Sequence, residues 1–196
     1  SLSKDRLFVF DAVTGARVLF SVWETRVRDW NVYLSESHRP QTSDARFALR
    51  ETDAHPVVNV TATEASEFCQ WLTRRERAAH LLTGAQSFRL PTNAEWDAAV
   101  DISPRKAVSN TGGEIEPSRF PWGAGWPPPP RAGNYNTGLI EGGHDDGFKL
   151  TAPVGQFDPT PDGLFDLGGN VWEWTVDSTA EESGSSCLRG GSWMYW

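Results

Sequence analysis

From Asp101 to Trp196 the chain shows almost no helical period, because proline, glycine, asparagine and aspartate interrupt it every few residues. A stretch that long cannot form a helical bundle, and it lacks the even alternation of a large sheet. It predicts short strands joined by long ordered loops. Eighteen glycines, 13 prolines and 10 tryptophans fit loops fixed by aromatic packing. Long loops in a compact domain need a tether, and a bound metal ion is one such tether.

The first hundred residues carry clearer periods. Leu7 to Val22 mixes Val, Phe and Leu around Thr14-Gly15, which predicts a hairpin. A helix is expected after Trp23, capped by Thr25, with Val27, Trp30, Asn31 and Leu34 on one face. Ser35 to Asp53 reads as a loop, and His55 to Val60 as a short extended segment. Thr61 and Glu64 form a capping box that opens a helix with Ala65, Phe68, Cys69 and Leu72 as its buried stripe. Arg74, Arg75, Glu76 and Arg77 are expected on its solvated face. Ser87 to Pro91 is extended, and a second capping box, Thr92 and Glu95, opens a helix to about Val100, with Trp96 and Val100 as its apolar pair. Pro127 to Pro130 is read as stiff surface packing, and Cys187-Leu188-Arg189 as a last strand.

The 196 residues suffice for one domain with a full core. A net charge of −8 disfavours nucleic acid and anionic membrane as partners and suits divalent cations. No apolar run approaches the roughly 18 residues of a membrane span, and no basic start followed by an apolar stretch marks a secretory signal. A soluble chain without membrane insertion is expected, its compartment left open. Cys69 and Cys187 are read as two small apolar core residues. His38, His55, His80 and His144 are scattered, none at metal spacing from another.

Four segments together resemble one family. They are Pro56-Val57-Val58-Asn59-Val60 with the helix after it, Arg89-Leu90-Pro91-Thr92-Asn93-Ala94-Glu95-Trp96, Gly163 to Trp174 (GLFDLGGNVWEW) and Arg189-Gly190-Gly191-Ser192-Trp193. Trp23 to Val27 fits the same pattern. In this order they resemble the sulfatase-modifying-factor, or formylglycine-generating-enzyme-like, domain. The resemblance implies an irregular α+β, C-type-lectin-like fold with two or three helices, short antiparallel strands and long ordered loops. It also implies one or two structural calcium ions.

Calcium takes about six to eight hard oxygen ligands, from carboxylates, amides and carbonyls. Asp166, Gly169, Val171 and Glu173 supply that mixture within eight residues. The resemblance assigns the side chains of Asp166 and Glu173 and the carbonyls of Gly169 and Val171 to one ion. It assigns the side chains of Asn134 and Asp146 and the carbonyls of Tyr135 and Phe148 to a second. From the residues alone the first segment reads as a tight Asp/Gly turn with Trp172 and Trp174 in the core, and the second as a pair of Asx turns.

Family members with oxidase activity hold copper(I) on two cysteines and convert a client sulfatase cysteine to formylglycine. Soft thiolates suit copper(I). The first of those cysteines follows the Gly-Gly-Ser-aromatic motif by two residues, where this chain has Tyr195. The second would fall beyond Trp196. A phenol does not replace a thiolate on copper(I), so copper is not expected. Trp172, Ser192 and Tyr195 remain as pocket candidates, with bland readings as core and turn residues for the first two. The expected unit is a single domain over residues 1–196 lacking its C-terminal end. Three functions compete: a binding domain for an unidentified protein, peptide or small molecule, as in variable ligand-binding relatives; a formylglycine-generating oxidase; and an accessory domain attached to another protein. All three share calcium.

Overall fold

The computed structural model describes residues 6–10, 17–40, 52–100, 120–123, 126–136, 141–143, 145–177 and 185–194. The elements are strands β1 (Arg6–Phe10) and β2 (Arg17–Ser21), helices α1 (Val27–Glu36), α2 (Ala62–Ala78) and α3 (Asn93–Ala99), and strands β3 (Glu173–Val176) and β4 (Ser186–Arg189). β1 and β2 pair antiparallel, Arg6 with Ser21 and Phe10 with Arg17, as the hairpin reading requires. Its turn, Thr14-Gly15, lies outside the described residues. β3 pairs antiparallel with β4, Glu173 with Arg189 and Val176 with Ser186. The sequence suggested β4 but not β3, whose Trp-Glu-Trp pattern read as a loop.

Both expected capping boxes form. Thr61 Oγ1 accepts from the Glu64 amide at 3.2 Å while Glu64 Oε2 accepts from the Thr61 amide at 2.8 Å. Thr92 and Glu95 repeat the exchange at 3.1 and 2.7 Å. Helix α1 corrects the expectation. Its cap is Arg26, not Thr25, because Thr25 is drawn into pairing with the next segment: its carbonyl accepts from the Val57 amide at 2.8 Å. Asp29 then turns back on Arg26, accepting from its Nε at 2.7 Å. Its buried residues are Asp29, Trp30, Tyr33 and Leu34, whereas Val27 and Asn31 are only half-buried.

Two cores result. In the first, Trp30, Tyr33 and Leu34 of α1 meet Phe68, Trp71 and Leu72 of α2. Trp30 stacks on Phe68 with ring centroids 5.4 Å apart, and Tyr33 meets Phe68 edge-on at 5.5 Å. Each such aromatic pair adds about 0.5–1.5 kcal/mol to the burial itself. Glu76 corrects the solvated charge run: it is buried and paired with Arg75 at 3.0 Å. Its place follows from the helical period, since Phe68, Leu72 and Glu76 recur every four residues and share one face. Cys69 and Cys187 are free and half-buried rather than fully interior.

In the second core, Trp96 and Ala99 of α3 and Val100 at its C-terminal cap pack on Leu164 and Leu167, with Phe20 of β2 against them. Long-range bonds fix this layer. Phe165 donates to the Val22 carbonyl at 2.8 Å and Val176 to the Pro91 carbonyl at 3.0 Å. Trp174 Nε1 donates to the Val60 carbonyl at 2.8 Å. Residues 164–176 are thereby held between the hairpin, α3 and the segment before α2. In the proline run Pro128 is buried while Pro129 and Pro130 are exposed, as surface packing demands. Among the described residues no helix is long and apolar enough to cross a membrane.

Candidate cation-binding loops

The Asp166–Glu173 segment leaves the second core through three residues in the left-handed region: Asp166 at φ 61°, Gly169 at 81° and Asn170 at 54°. Asp and Asn tolerate this region because their short side chains bond locally. Gly169 is required for a second reason. A Cβ there would collide with the backbone of Asn134, so the two loops press main chain against main chain. Asn170 donates its amide to the Asn134 carbonyl at 2.8 Å, which locks the contact.

Asp166 is buried. Its Oδ2 accepts from the Gly155 amide at 2.6 Å, whereas its Oδ1 is buried with no partner among the described residues. Burial pushes its carboxyl up to about 6. Glu173 Oε2 accepts from Trp96 Nε1 at 2.5 Å, and burial pushes that carboxyl up to about 7 despite the indole bond. A third carboxylate, Glu24, is also buried. Burial first, then the negative charges of Asp166 and Glu173, hold it well above the usual range. Glu24 Oε2 accepts from Asn170 Nδ2 at 2.7 Å and its Oε1 from the Val171 amide at 3.2 Å.

The second loop is equally defined. Asp146 Oδ2 accepts from the Tyr135 amide and Oδ1 from the Phe148 amide, both at 2.9 Å. This clasp brings Asn134-Tyr135 and Asp146–Phe148 together. Asn134 is fully buried, its Nδ2 donating to the Leu150 carbonyl at 2.7 Å and to Asn170 Oδ1 at 3.2 Å. Its Oδ1 is buried and unpartnered among the described residues. None of the four carbonyls at Gly169, Val171, Tyr135 and Phe148 accepts a backbone bond among the described residues. Among the described residues no group of three His, Cys, Asp or Glu side chains is placed to hold a metal. The donors these loops contain are carboxylate, amide and carbonyl oxygens, all hard donors.

The pocket candidates divide. Ser192 is buried and its Oγ accepts from the Met194 amide at 3.3 Å. Trp172 is 41 % exposed, which overturns its reading as a core residue. Tyr195 lies outside the described residues, as does His144. The Gly-Gly-Ser-Trp segment joins the cation loop, since Gly169 donates to the Gly190 carbonyl and Trp193 to the Asn170 carbonyl, both at 2.9 Å. A cavity of about 540 Å³ opens elsewhere, lined by Phe20, Trp23, Phe68, Cys69, Phe88 and Trp174 among others. Glu24, Val171 and Glu173 border it, whereas Trp172 and Ser192 do not.

Sequence reasoning missed Glu24, Asn170 and Trp96 as parts of the loops. Glu24 and Asn170 lay inside quoted motifs without a role, and Trp96 was read only as an apolar partner of Val100.

The chain is similar to known proteins along most of its length. Residues 9–195 match the sulfatase-modifying factor enzyme 1-like domain family. The chain is 32% identical over 168 residues to the bovine protein named inactive C-alpha-formylglycine-generating enzyme 2, covering 84% of this chain and 47% of that one. It is 33% identical over 136 residues to the formylglycine-generating enzyme of Thermomonospora curvata, covering 66% of this chain and 36% of that one. It thus spans about half or less of the length of these relatives. Among solved structures, PvdO from Pseudomonas aeruginosa superposes with a TM-score of 0.60 at 20% identity, covering 91% of this chain and 69% of that one, a likeness of fold. With the family match running across nearly its full length, this chain belongs to the sulfatase-modifying factor enzyme 1-like domain family.

Proposed function

We propose that this chain is a calcium-holding, C-type-lectin-like member of its family, acting as a binding or accessory domain without a copper–cysteine oxidase centre. The observation that carries the calcium reading is a pair of orphaned oxygens. Asn134 Oδ1 and Asp166 Oδ1 are buried and unpartnered, one in each loop. A buried acceptor without a partner costs about 1–3 kcal/mol. A hard cation would turn both into ligands. Asp166 and Glu173 with the carbonyls of Gly169 and Val171 would hold one ion. Asn134 and Asp146 with the carbonyls of Tyr135 and Phe148 would hold the other. The cation supplies a cross-link that offsets the ordering entropy of loops with little regular structure.

The absence of oxidase chemistry rests on the thiols. Tyr195 stands where the family resemblance places the first copper ligand. Burial pushes the Cys69 thiol up to about 12, so it is no ready thiolate. Cys187 lies on β4, its Sγ 3.6 Å from Asn93 Nδ2. The bovine and mouse relatives named inactive C-alpha-formylglycine-generating enzyme 2 align at 32% and 33% identity, which accords with this reading. Exposed Trp172, beside the Gly-Gly-Ser-Trp segment, offers an aromatic contact for a protein, peptide or small-molecule ligand.

The test pairs copper(I) titration with oxygen consumption in the presence of a cysteine-containing sulfatase peptide. The proposal expects neither tight copper(I) binding nor peptide-dependent oxygen uptake. Stoichiometric copper binding with conversion of the peptide cysteine to an aldehyde would instead establish the oxidase, the activity named for several relatives.

A further inference from the structure

The two candidate cation loops share one buried hydrogen-bond network, and its centre is Asn170. Every polar valence of the Asn170 side chain is used. Its Nδ2 donates to Glu24 Oε2 at 2.7 Å and to the Ala152 carbonyl at 3.3 Å. Its Oδ1 accepts from the Ala152 amide at 2.8 Å and from Asn134 Nδ2 at 3.2 Å. Only one amide orientation satisfies these four partners, since flipping it would set Nδ2 against two donors and Oδ1 against two acceptors. That orientation fixes Asn134 in turn. With its Nδ2 committed to Asn170 and to Leu150, Asn134 presents its Oδ1 as the free group.

The chain of contacts reaches the other loop as firmly. Glu24 bonds both the Asn170 side chain and the Val171 amide, so it fixes the Asn170–Val171 peptide plane, one peptide before the Val171 carbonyl. Gly169 packs against the Asn134 backbone, Gly133 against the Gly168 carbonyl, and Asn170 N–H bonds the Asn134 carbonyl at 2.8 Å. Neither loop can reorganise without moving the other.

We infer that the two loops bind calcium cooperatively, with Asn170 as the positioning residue that couples them and Glu24 as its anchor. The inference rests on the calcium reading proposed above. An ion at Asp166 and Glu173 orders the 169–171 backbone and Glu24. That order holds the Asn170 amide, which aims Asn134 Oδ1 before the second ion arrives. The second ion would then meet an Asn134 Oδ1 held in place through Asn170. By linkage the effect is reciprocal.

The experiment is isothermal calcium titration of the wild-type chain and of D146A, D166A and N170A. Stability is followed by thermal melting, and the Asn170 side-chain amide by NMR. Cooperativity of the usual size makes each loop bind about 5-fold or more weaker when the other is disabled, by the same factor in D146A and D166A. Adding N170A to either variant should shrink that factor to within about 2-fold, as expected for sites that no longer communicate. If N170A does not fold, the NMR signal decides. In D166A, calcium bound at Asn134 should shift the Asn170 Nδ2 protons.

Two ions bound independently, or coupling that survives N170A, would overturn the inference while leaving the calcium reading intact. An Asn170 amide unmoved by calcium in D166A would overturn it too. No calcium bound to the wild type would remove both.

Discussion

Trp96 Nε1 donates to Glu173 Oε2 at 2.5 Å, so a helix α3 side chain in the apolar core holds an acid of the β3 strand. The same indole ring lies under the Arg189 guanidinium, 4.8 Å from its centroid. Arg189 is also paired with Asp97. One tryptophan therefore joins the core, β4 and the candidate cation loop. Replacing it by phenylalanine keeps most of the apolar contact and deletes the donor. W96F should cost about 1–3 kcal/mol, the usual result of leaving a buried acceptor unmatched. It should also weaken calcium binding several-fold. Denaturant unfolding with and without calcium checks both effects, and an unchanged calcium affinity would deny Trp96 its positioning role.

The buried acids set a pH dependence for the calcium-free chain. Asp166 and Glu173 have carboxyls pushed up to about 6 and 7. A raised carboxyl means the folded state binds more protons than the unfolded state, so stability falls as pH rises. The contribution is full below the unfolded value near 4 and is lost through about pH 6 to 7. In chelator, melting temperature should therefore increase as pH drops from 7 to 5. In saturating calcium the trend should reverse over the same window, because protons compete with the ion. Melting curves at four or five pH values decide this.

Gly169 sits at φ 81° with no room for a Cβ beside Asn134. G169A forces both a strained backbone and separation of the two loops. The expected loss is about 1–3 kcal/mol for the backbone strain alone. G84A gives the contrast, since nothing lies within 4 Å of a Cβ at Gly84. Equal melting temperatures for G169A and wild type would contradict the close approach of the loops.

Cys69 lines the apolar cavity, and burial pushes its thiol up to about 12. At pH 8 its thiolate fraction is about 10⁻⁴, on the order of a thousand-fold below that of an ordinary free thiol. Iodoacetamide should label Cys69 in the native chain that much more slowly than glutathione, and at ordinary rates only after unfolding. Mass spectrometry of timed reactions measures it.

The parts of this fold that were legible in sequence are those where local chemistry is decisive. Thr61 with Glu64, and Thr92 with Glu95, announce helix starts because the reciprocal bonds lie within three residues. The clasp of Asp146 on Phe148 is likewise local. What sequence did not disclose depends on partners far away in the chain. Glu24 and Asn170 are 146 positions apart, and Trp96 and Glu173 are 77. Thr25 looked like a cap until its carbonyl was taken by Val57. Glu76 was judged by its charged neighbours, although its spacing from Phe68 and Leu72 already placed it on the buried face.

Calcium titration after complete chelation tests the central claim most directly, read as stoichiometry and as melting temperature in the same buffer. Two ions per chain are predicted, with stabilisation of about 2.7 kcal/mol per site at a hundred-fold excess over Kd. That corresponds to a rise of about 5–10 °C per site for a domain of this size. No saturable uptake at millimolar calcium, with the melting temperature unmoved, would contradict the account.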